Sequence, residues 1–224
     1  MRLVARQLHH IVEIEIFSDV VCPWCWIGER RLVDAISASG AEVTLRWRAF
    51  QLDPTATSTG TPLVQWLGRR YGGEHNARRM FTNVTSVASQ AGLTMNFDKA
   101  ISANTFDAHR LIWMAGRDGA DQRPMVEALH KAHFTDGLDL GSRPALASIA
   151  ASVDPSFSGV LDELSSDAGV AEVQAELSAA RDLGITSVPT FIFDKQYAVS
   201  GAQDSHTFQQ VLASLDVCSV DVPC

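Results

Sequence analysis

From Val12 to Phe17 apolar and polar side chains alternate, the pattern of a half-buried β-strand. After a short loop at Ser18–Val21 the period changes to that of a helix, with Ile27, Leu32, Val33, Ala35 and Ile36 on one side up to Ser39, and Gly40 as the stop. Alternation returns in Glu42–Phe50, which predicts a half-buried or edge strand and completes a β–α–β unit. Asp53–Thr61 is a linker rich in Pro, Thr, Ser and Gly, and from Pro62 to Asp182 the periodicity is helical throughout. Helices are expected at 62–71, 74–91, 105–118, 122–136, 143–152, 156–165 and 169–183, two of them with Pro in the first turn, at Arg143-Pro144 and Asp154-Pro155. Strand texture resumes in Gly184–Phe193 and Tyr197–Gly201, joined by a tight turn at Asp194-Lys195-Gln196, and Asp204–Leu215 closes as a helix capped by Asp204 or Ser205. A β–α–β half and a β–β–α half therefore flank a helical block. The organisation expected is an α/β unit at 11–61 and 184–215, an all-helical insertion at 62–183, and a tail at 216–224.

Composition narrows what such a chain can do. With 224 residues, 46% hydrophobic and 20% charged, it can bury a sizeable core. A net charge of −8 argues against nucleic acid or an anionic membrane as the main partner. No apolar run reaches the ~18 residues of a membrane span. The opening Met1–His10 has no continuous apolar stretch and no small-residue cleavage site, so it does not read as a secretory signal, and a cytoplasmic location is expected. Four cysteines are too few for a disulfide scaffold of this length.

Two of them carry the chemistry. Cys22-Pro23-Trp24-Cys25 lies where the first strand hands over to the first helix. The unpaired N–H groups and positive end of that helix favour a thiolate, so Cys22 is expected to titrate below the ordinary thiol value of about 8.5. Cys25, one turn further in, is placed to attack a mixed disulfide formed at Cys22. Half of a zinc site is the alternative. It would need Cys218 and Cys224, whose spacing is wider than the usual two to four residues, so no metal is expected. A second motif, Ser187-Val188-Pro189-Thr190, opens an apolar strand. Proline cannot donate to a sheet ladder, so an edge or bend is expected there, with a cis Val188–Pro189 bond as one way to make it. That would free the backbone of Val188 to pair with an incoming peptide.

Taken together, Cys22–Cys25, the helical insertion and Thr186–Phe191 resemble the DsbA-like branch of the thioredoxin superfamily. Ser18–Gly28, Trp47–Pro54, Asn104–Arg110 and Tyr197–Gln203 are similar to FrnE-like proteins of that branch, and the likeness spans residues 12–213. The resemblance implies a thioredoxin fold with a large all-helical insertion, Cys22 as nucleophile, Cys25 as resolving thiol and Pro189 as a cis proline facing them. It implies a protein dithiol–disulfide oxidoreductase or isomerase acting on protein disulfides and dithiols, with glutathione as a further redox partner. Trp24 stands where periplasmic DsbA proteins carry histidine, which predicts a less acidic Cys22 and a less oxidising couple. The same branch contains 2-hydroxychromene-2-carboxylate isomerases and kappa-class glutathione transferases, so a glutathione-dependent small-molecule isomerase or transferase is the second reading. A chaperone module using a Trp-lined groove is the third.

Further candidates are Asp19, as proton acceptor for the resolving thiol or as a loop cap, and His109, with Asp107, as groove lining or an ordinary helix surface. Trp24 and Val188 are expected at the substrate groove, Trp26 and Trp47 at its rim or in the core. Cys218 and Cys224, separated by five residues, form a candidate auxiliary redox pair.

Overall fold

The computed structural model describes the backbone of residues 11–218 and the side chains of 11–215. Strand β1 (Val12–Ser18) is central: it pairs in parallel with β2 (Val43–Ala49), Val12 opposite Val43, and antiparallel with β3 (Thr190–Phe193), Ile16 opposite Phe191. Strand β4 (Tyr197–Ser200) adds to β3, giving the order β2-β1-β3-β4. As the inner strand, β1 is buried along nearly its whole length. Ile14 and Ile16 are fully covered, and Glu15 is tied to Arg48 at 2.5 Å. The three-residue β3–β4 turn, Asp194–Gln196, takes left-handed backbone at Asp194 and Lys195 and is closed by the Gln196 N–H on the Phe193 carbonyl at 2.9 Å.

Helix α1 (Pro23–Ser39) packs on the sheet beside α9 (Ser205–Cys218), whose first turn is capped by Asp204 accepting from the Thr207 N–H at 2.7 Å. The start of α1 is simpler: Cys22 holds the cap position in extended conformation and Pro23 enters at the first helical turn, where a missing N–H costs nothing. Gly40 ends α1 in left-handed conformation, and its N–H bonds the Ile36 carbonyl.

The insertion consists of α2 (Leu63–Arg70), α3 (Glu74–Gln90), α4 (Phe106–Ala115), α5 (Arg123–Lys131), α6 (Arg143–Val153), α7 (Val160–Ser165) and α8 (Val170–Asp182). It closes the outer edge of the sheet chemically as well as sterically. Gln122 accepts from the Trp47 N–H at 2.9 Å and donates to the Ile112 carbonyl, while Glu176 accepts from the Ala49 N–H at 3.0 Å and pairs with Arg48. Edge N–H groups of β2 are thus satisfied by side chains of the insertion.

Three expectations need correction. The strand expected over 184–193 is a strand only from Thr190, because Pro189 has no N–H for a ladder and residues 184–189 run as turn and loop. The helix expected over 122–136 changes to a π-helical turn at Ala132–Asp136, and that over 156–165 begins as a 3-10 turn at Pro155–Gly159. The C-terminal pair falls outside: Cys218 ends α9, but its side chain and all of Cys224 lie beyond the described residues.

Candidate active site

Cys22 and Cys25 are both free thiols, and the helix separates their surroundings. The Cys22 Sγ lies 3.8 Å from the Val188 carbonyl oxygen, at the meeting point of the α1 cap and the loop before β3. The Val188–Pro189 bond is cis, as expected. Cys22 is itself buried; Cys25, one turn further in, is completely enclosed, and its N–H bonds the Cys22 carbonyl at 3.1 Å. Burial pushes the Cys25 thiol well above its ordinary range; the hydrogen bond and charge of Cys22 add to this, then the charge of Glu29, while a backbone hydrogen bond at Asp19 opposes it.

Gly28 makes the close approach possible. A Cβ there would meet the Pro189 ring at 3.0 Å and both Ala202 Cα and Phe191 Cζ at 3.2 Å. Arg31, one turn on, donates to the Ala202 carbonyl at 2.7 Å and holds the same loop. The proline thus packs directly against the helix that carries the thiols.

Beside Cys22 opens a cavity of about 370 Å³ between the α1 start and the insertion, walled by Leu63, Trp66, Leu67, Phe81 and Val84, with Trp24 and Val188 at the same site. Trp24 and Val188 both line this cavity, beside Cys22. His109 does not: it is buried, its Nε2 is 2.9 Å from the Phe50 carbonyl, and it faces Asp19 rather than the groove. A carbonyl can pair only with a protonated ring nitrogen, so Nε2 carries the hydrogen. Asp19 Oδ1 is 3.3 Å from that nitrogen but poorly aligned with it, since the N–H serves Phe50; Oδ2 accepts from the Leu52 N–H at 2.8 Å. Asp19 touches the thiols through its backbone, its carbonyl accepting from the Cys22 N–H at 2.9 Å. Its carboxylate braces the end of β2. Trp26 and Trp47 are core residues, Trp26 stacking on His130 and Phe134 and donating to Glu127 at 2.9 Å.

Three residues that sequence reasoning missed form the floor of the site. Glu29, one turn after Cys25 on the same helix face, is buried, accepts from the Ser18 hydroxyl at 2.6 Å and lies 3.3 Å from His130 Nε2. Its spacing of four from Cys25 was the available signal. His130 also contacts the Val20 carbonyl at 3.2 Å through Nδ1. His133 is fully buried at the cavity wall, and burial, reinforced by His130 and opposed by Asp19, lowers its pKa to about 4. Nothing in the mixed helical segment Met125–Phe134 announces which of its polar side chains turn inward. Among the described residues there is no cluster of His, Cys, Asp and Glu fit to hold a metal, and no helix long and apolar enough to cross a membrane.

The sequence model of the DSBA-like thioredoxin domain matches residues 13–213. A probable DsbA oxidoreductase from Streptomyces coelicolor is 30% identical in sequence and superposes with a TM-score of 0.79 over 95% of this chain and 92% of its own. The cytosolic disulfide reductase DsbM from Pseudomonas aeruginosa, solved with glutathione, is 17% identical, with a TM-score of 0.64 over 91% and 98% of the two chains. A 2-hydroxychromene-2-carboxylate isomerase is 13% identical, with a TM-score of 0.66 over 95% and 100%. The last two likenesses are of fold alone.

Proposed function

The chain belongs to the DSBA-like thioredoxin domain family, and from that premise we propose that it is a dithiol–disulfide oxidoreductase working through Cys22 and Cys25. The observation that carries the proposal is the asymmetry of two buried thiols: Cys22, 4% exposed, sits at the helix cap against the Val188 carbonyl and lines the cavity, whereas Cys25, one turn further in, is fully enclosed. In the reducing direction the Cys22 thiolate attacks one sulfur of a substrate disulfide. A bond forms between Cys22 and that sulfur, and the other leaves as a thiolate. While Cys22 is free, Cys25 stays protonated, because burial and the Cys22 sulfur both hold its pKa up. Once Cys22 is in the mixed disulfide, it no longer carries charge or shares a proton, and part of what restrained Cys25 is gone. Cys25 then loses its proton and attacks Cys22, which releases the reduced substrate and leaves a Cys22–Cys25 disulfide. The reverse sequence oxidises a dithiol, and interrupted turns shuffle disulfides.

Glu29 is the carboxylate whose charge acts on Cys25, so it takes the part of local proton acceptor that the sequence offered to Asp19. The substrates are protein disulfides and dithiols, whose extended backbone would pair with that of Val188. Glutathione, present in the related DsbM structure, is a candidate electron donor, and the setting is a reducing, cytoplasmic one. Oxidation of Cys218 with Cys224 would make an auxiliary pair, which mass mapping of the oxidised protein identifies.

Insulin reduction tests the proposal. Cys22→Ser should abolish turnover, and Cys25→Ser should accumulate a mixed disulfide with substrate. Turnover of insulin by Cys22→Ser at the native rate overturns it. The isomerase-like fold supports a second reading, a glutathione-dependent small-molecule isomerase, and turnover that survives Cys25→Ser without a trapped intermediate would favour that reading.

A further inference from the structure

We propose that Glu29 and His130 form a proton-handling pair that takes the Cys25 proton and passes it to the groove between α1 and α5, away from the cavity beside Cys22. The proposal rests on the thiol-exchange reading and supplies what that reading needs next, an exit for the proton of an enclosed thiol. Cys25 is completely buried, and a substrate joined to Cys22 stands over the cavity side. Glu29 is also buried, four residues on along the same helix face, and its charge acts on the Cys25 thiol.

The geometry of His130 decides where its hydrogens lie. Its Nδ1 is 3.2 Å from the Val20 carbonyl oxygen, which pairs only with an N–H, so Nδ1 carries hydrogen. Stacking against Trp26, with centroids 5.8 Å apart, and against Phe134 holds the ring plane. Nε2 is thereby presented to Glu29 Oε2 at 3.3 Å, buried and without a hydrogen bond to any other group among the described residues. A bare ring nitrogen and a bare carboxylate would set two lone pairs against each other out of water, which is unfavourable. One proton between them removes the conflict, so the resting pair holds one. The other carboxylate oxygen accepts from the Ser18 hydroxyl at 2.6 Å, which fixes the group in place.

The resolving step then balances. The Cys25 thiol gives its proton to the Glu29 carboxylate while the first proton sits on His130. The Cys25 sulfur keeps the electron pair and attacks Cys22, and the substrate sulfur leaves with the electrons of the broken S–S bond. For that moment the pair carries one positive charge beside the Cys25 thiolate, which favours the ionised sulfur. It returns to rest by giving one proton to water. The Glu29 side chain keeps 8% of its surface open and lines a groove of about 280 Å³ that shares no lining residue with the Cys22 cavity. The charged groups of that groove are Arg30, Asp34, Arg123 and Glu127, of which Arg30 and Glu127 pair at 2.6 Å. On the inner side the neighbouring titratable groups are the two thiols, His133 and Asp19.

Rapid acid quench and mass measurement, after mixing reduced protein with a symmetric peptide disulfide, count the Cys22 mixed disulfide and the final Cys22–Cys25 disulfide separately. Native protein that forms no mixed disulfide sinks the thiol-exchange reading itself; the present proposal concerns the second step alone. Glu29→Gln should leave the first step at its native rate and slow the second by about a hundredfold at pH 7, the low end of general-base catalysis, with a rate that rises about tenfold per pH unit as hydroxide takes over. His130→Phe, which keeps the stacking, should slow the second step by about tenfold, the worth of one hydrogen bond to a charged group. Formate added to Glu29→Ala should restore the second step in proportion to its concentration, a response that a merely structural defect does not give. Nitrogen-15 NMR of the native chain needs no variant: His130 should show hydrogen on Nδ1 and a shared proton at Nε2. A native second step and unchanged pH profile in folded Glu29→Gln, a formate-insensitive Glu29→Ala, or a bare Nε2 beside an ionised Glu29 overturns the proposal.

Discussion

Replacing Gly28 by Ala sets two opposing effects against each other at the point where α1 meets the proline loop. Away from tertiary contacts Gly→Ala inside a helix stabilises by about 1 kcal/mol. Here the new methyl would lie 3.0 Å from the Pro189 ring and 3.2 Å from Phe191 Cζ and Ala202 Cα, where carbon atoms prefer about 3.5–4.0 Å. None of the three can swing aside cheaply. Pro189 is a ring fused to the backbone, Phe191 is fully buried, and the Ala202 contact is backbone held by the Arg31 hydrogen bond. Overpacking of this kind costs about 1–3 kcal/mol, so it outweighs the propensity gain, and a net loss of roughly 1 kcal/mol is expected. For a chain of this size that lowers Tm by about 2–4 °C. Relief comes chiefly by moving the loop outward by ~0.5 Å, and with it the Val188 carbonyl that faces Cys22. Since a misplacement of ~1 Å can cost about a hundredfold in rate, mixed-disulfide formation should slow by about tenfold. Thermal unfolding and stopped-flow reaction of the reduced protein with a peptide disulfide read the two effects separately. A Tm at or above native, with an unchanged rate, would refute the reasoning, because it would mean that the loop yields without cost.

Two other predictions follow from buried charge. Arg110→Met should lower stability by about 3–5 kcal/mol, measured by urea unfolding. The guanidinium is 1% exposed, pairs with Asp107 at 2.7 Å and donates to the carbonyls of Glu163, Leu164, Ser166 and Ala168, which lose their partner together. Between pH ~6.5 and ~4 the unfolded chain binds a proton at His133 that the folded chain refuses, so native stability should fall as pH falls through that window. The loss attributable to this residue approaches ~3 kcal/mol at the lower end, and His133→Leu should show a correspondingly flatter dependence in urea titrations across that range.

How much of this was legible in the sequence depended on whether the signal was local. The strands and helices were, because periodicity is a local property: β1, α1 and β2 emerge where alternation and helical spacing place them. The thiol pair was legible because its spacing and its position at a strand–helix junction are both local facts, and Pro189 because a proline at the head of an apolar strand breaks a local rule. What was hidden depends on which distant element covers a residue. His109 and His133 are both histidines in helical segments of the insertion. One is turned to brace Phe50 and the other to line the cavity, and only the packing of the insertion against α1 distinguishes them. Arg110 carries no local sign of its role either: most of its donors serve the carbonyls at the end of α7 and the loop after it, some fifty residues on.

The same distinction explains why the insertion belongs to the candidate site rather than merely beside it. A CxxC on the bare four-stranded sheet unit, without the insertion, would present Cys22 to water on one side and the Val188 loop on the other. In this chain the insertion adds the apolar wall, the enclosed histidine and, through Gln122 and Glu176, the hydrogen bonds that complete the outer edge of β2. Those bonds fix the end of β2, and Asp19 is tied to the chain just beyond it, at Leu52. Asp19 in turn bonds the Cys22 N–H through its carbonyl. The position of Cys22 is therefore set from two directions, by Gly28 against Pro189 within the sheet unit and by the β2–Asp19 contacts braced by the insertion. Weakening the second brace, by Glu176→Ala, should loosen Cys22 without touching either the proline loop or the cavity. The expected signature is faster hydrogen exchange at Cys22 and Leu52 together, with Gly201, whose N–H bonds the Pro189 carbonyl, unchanged.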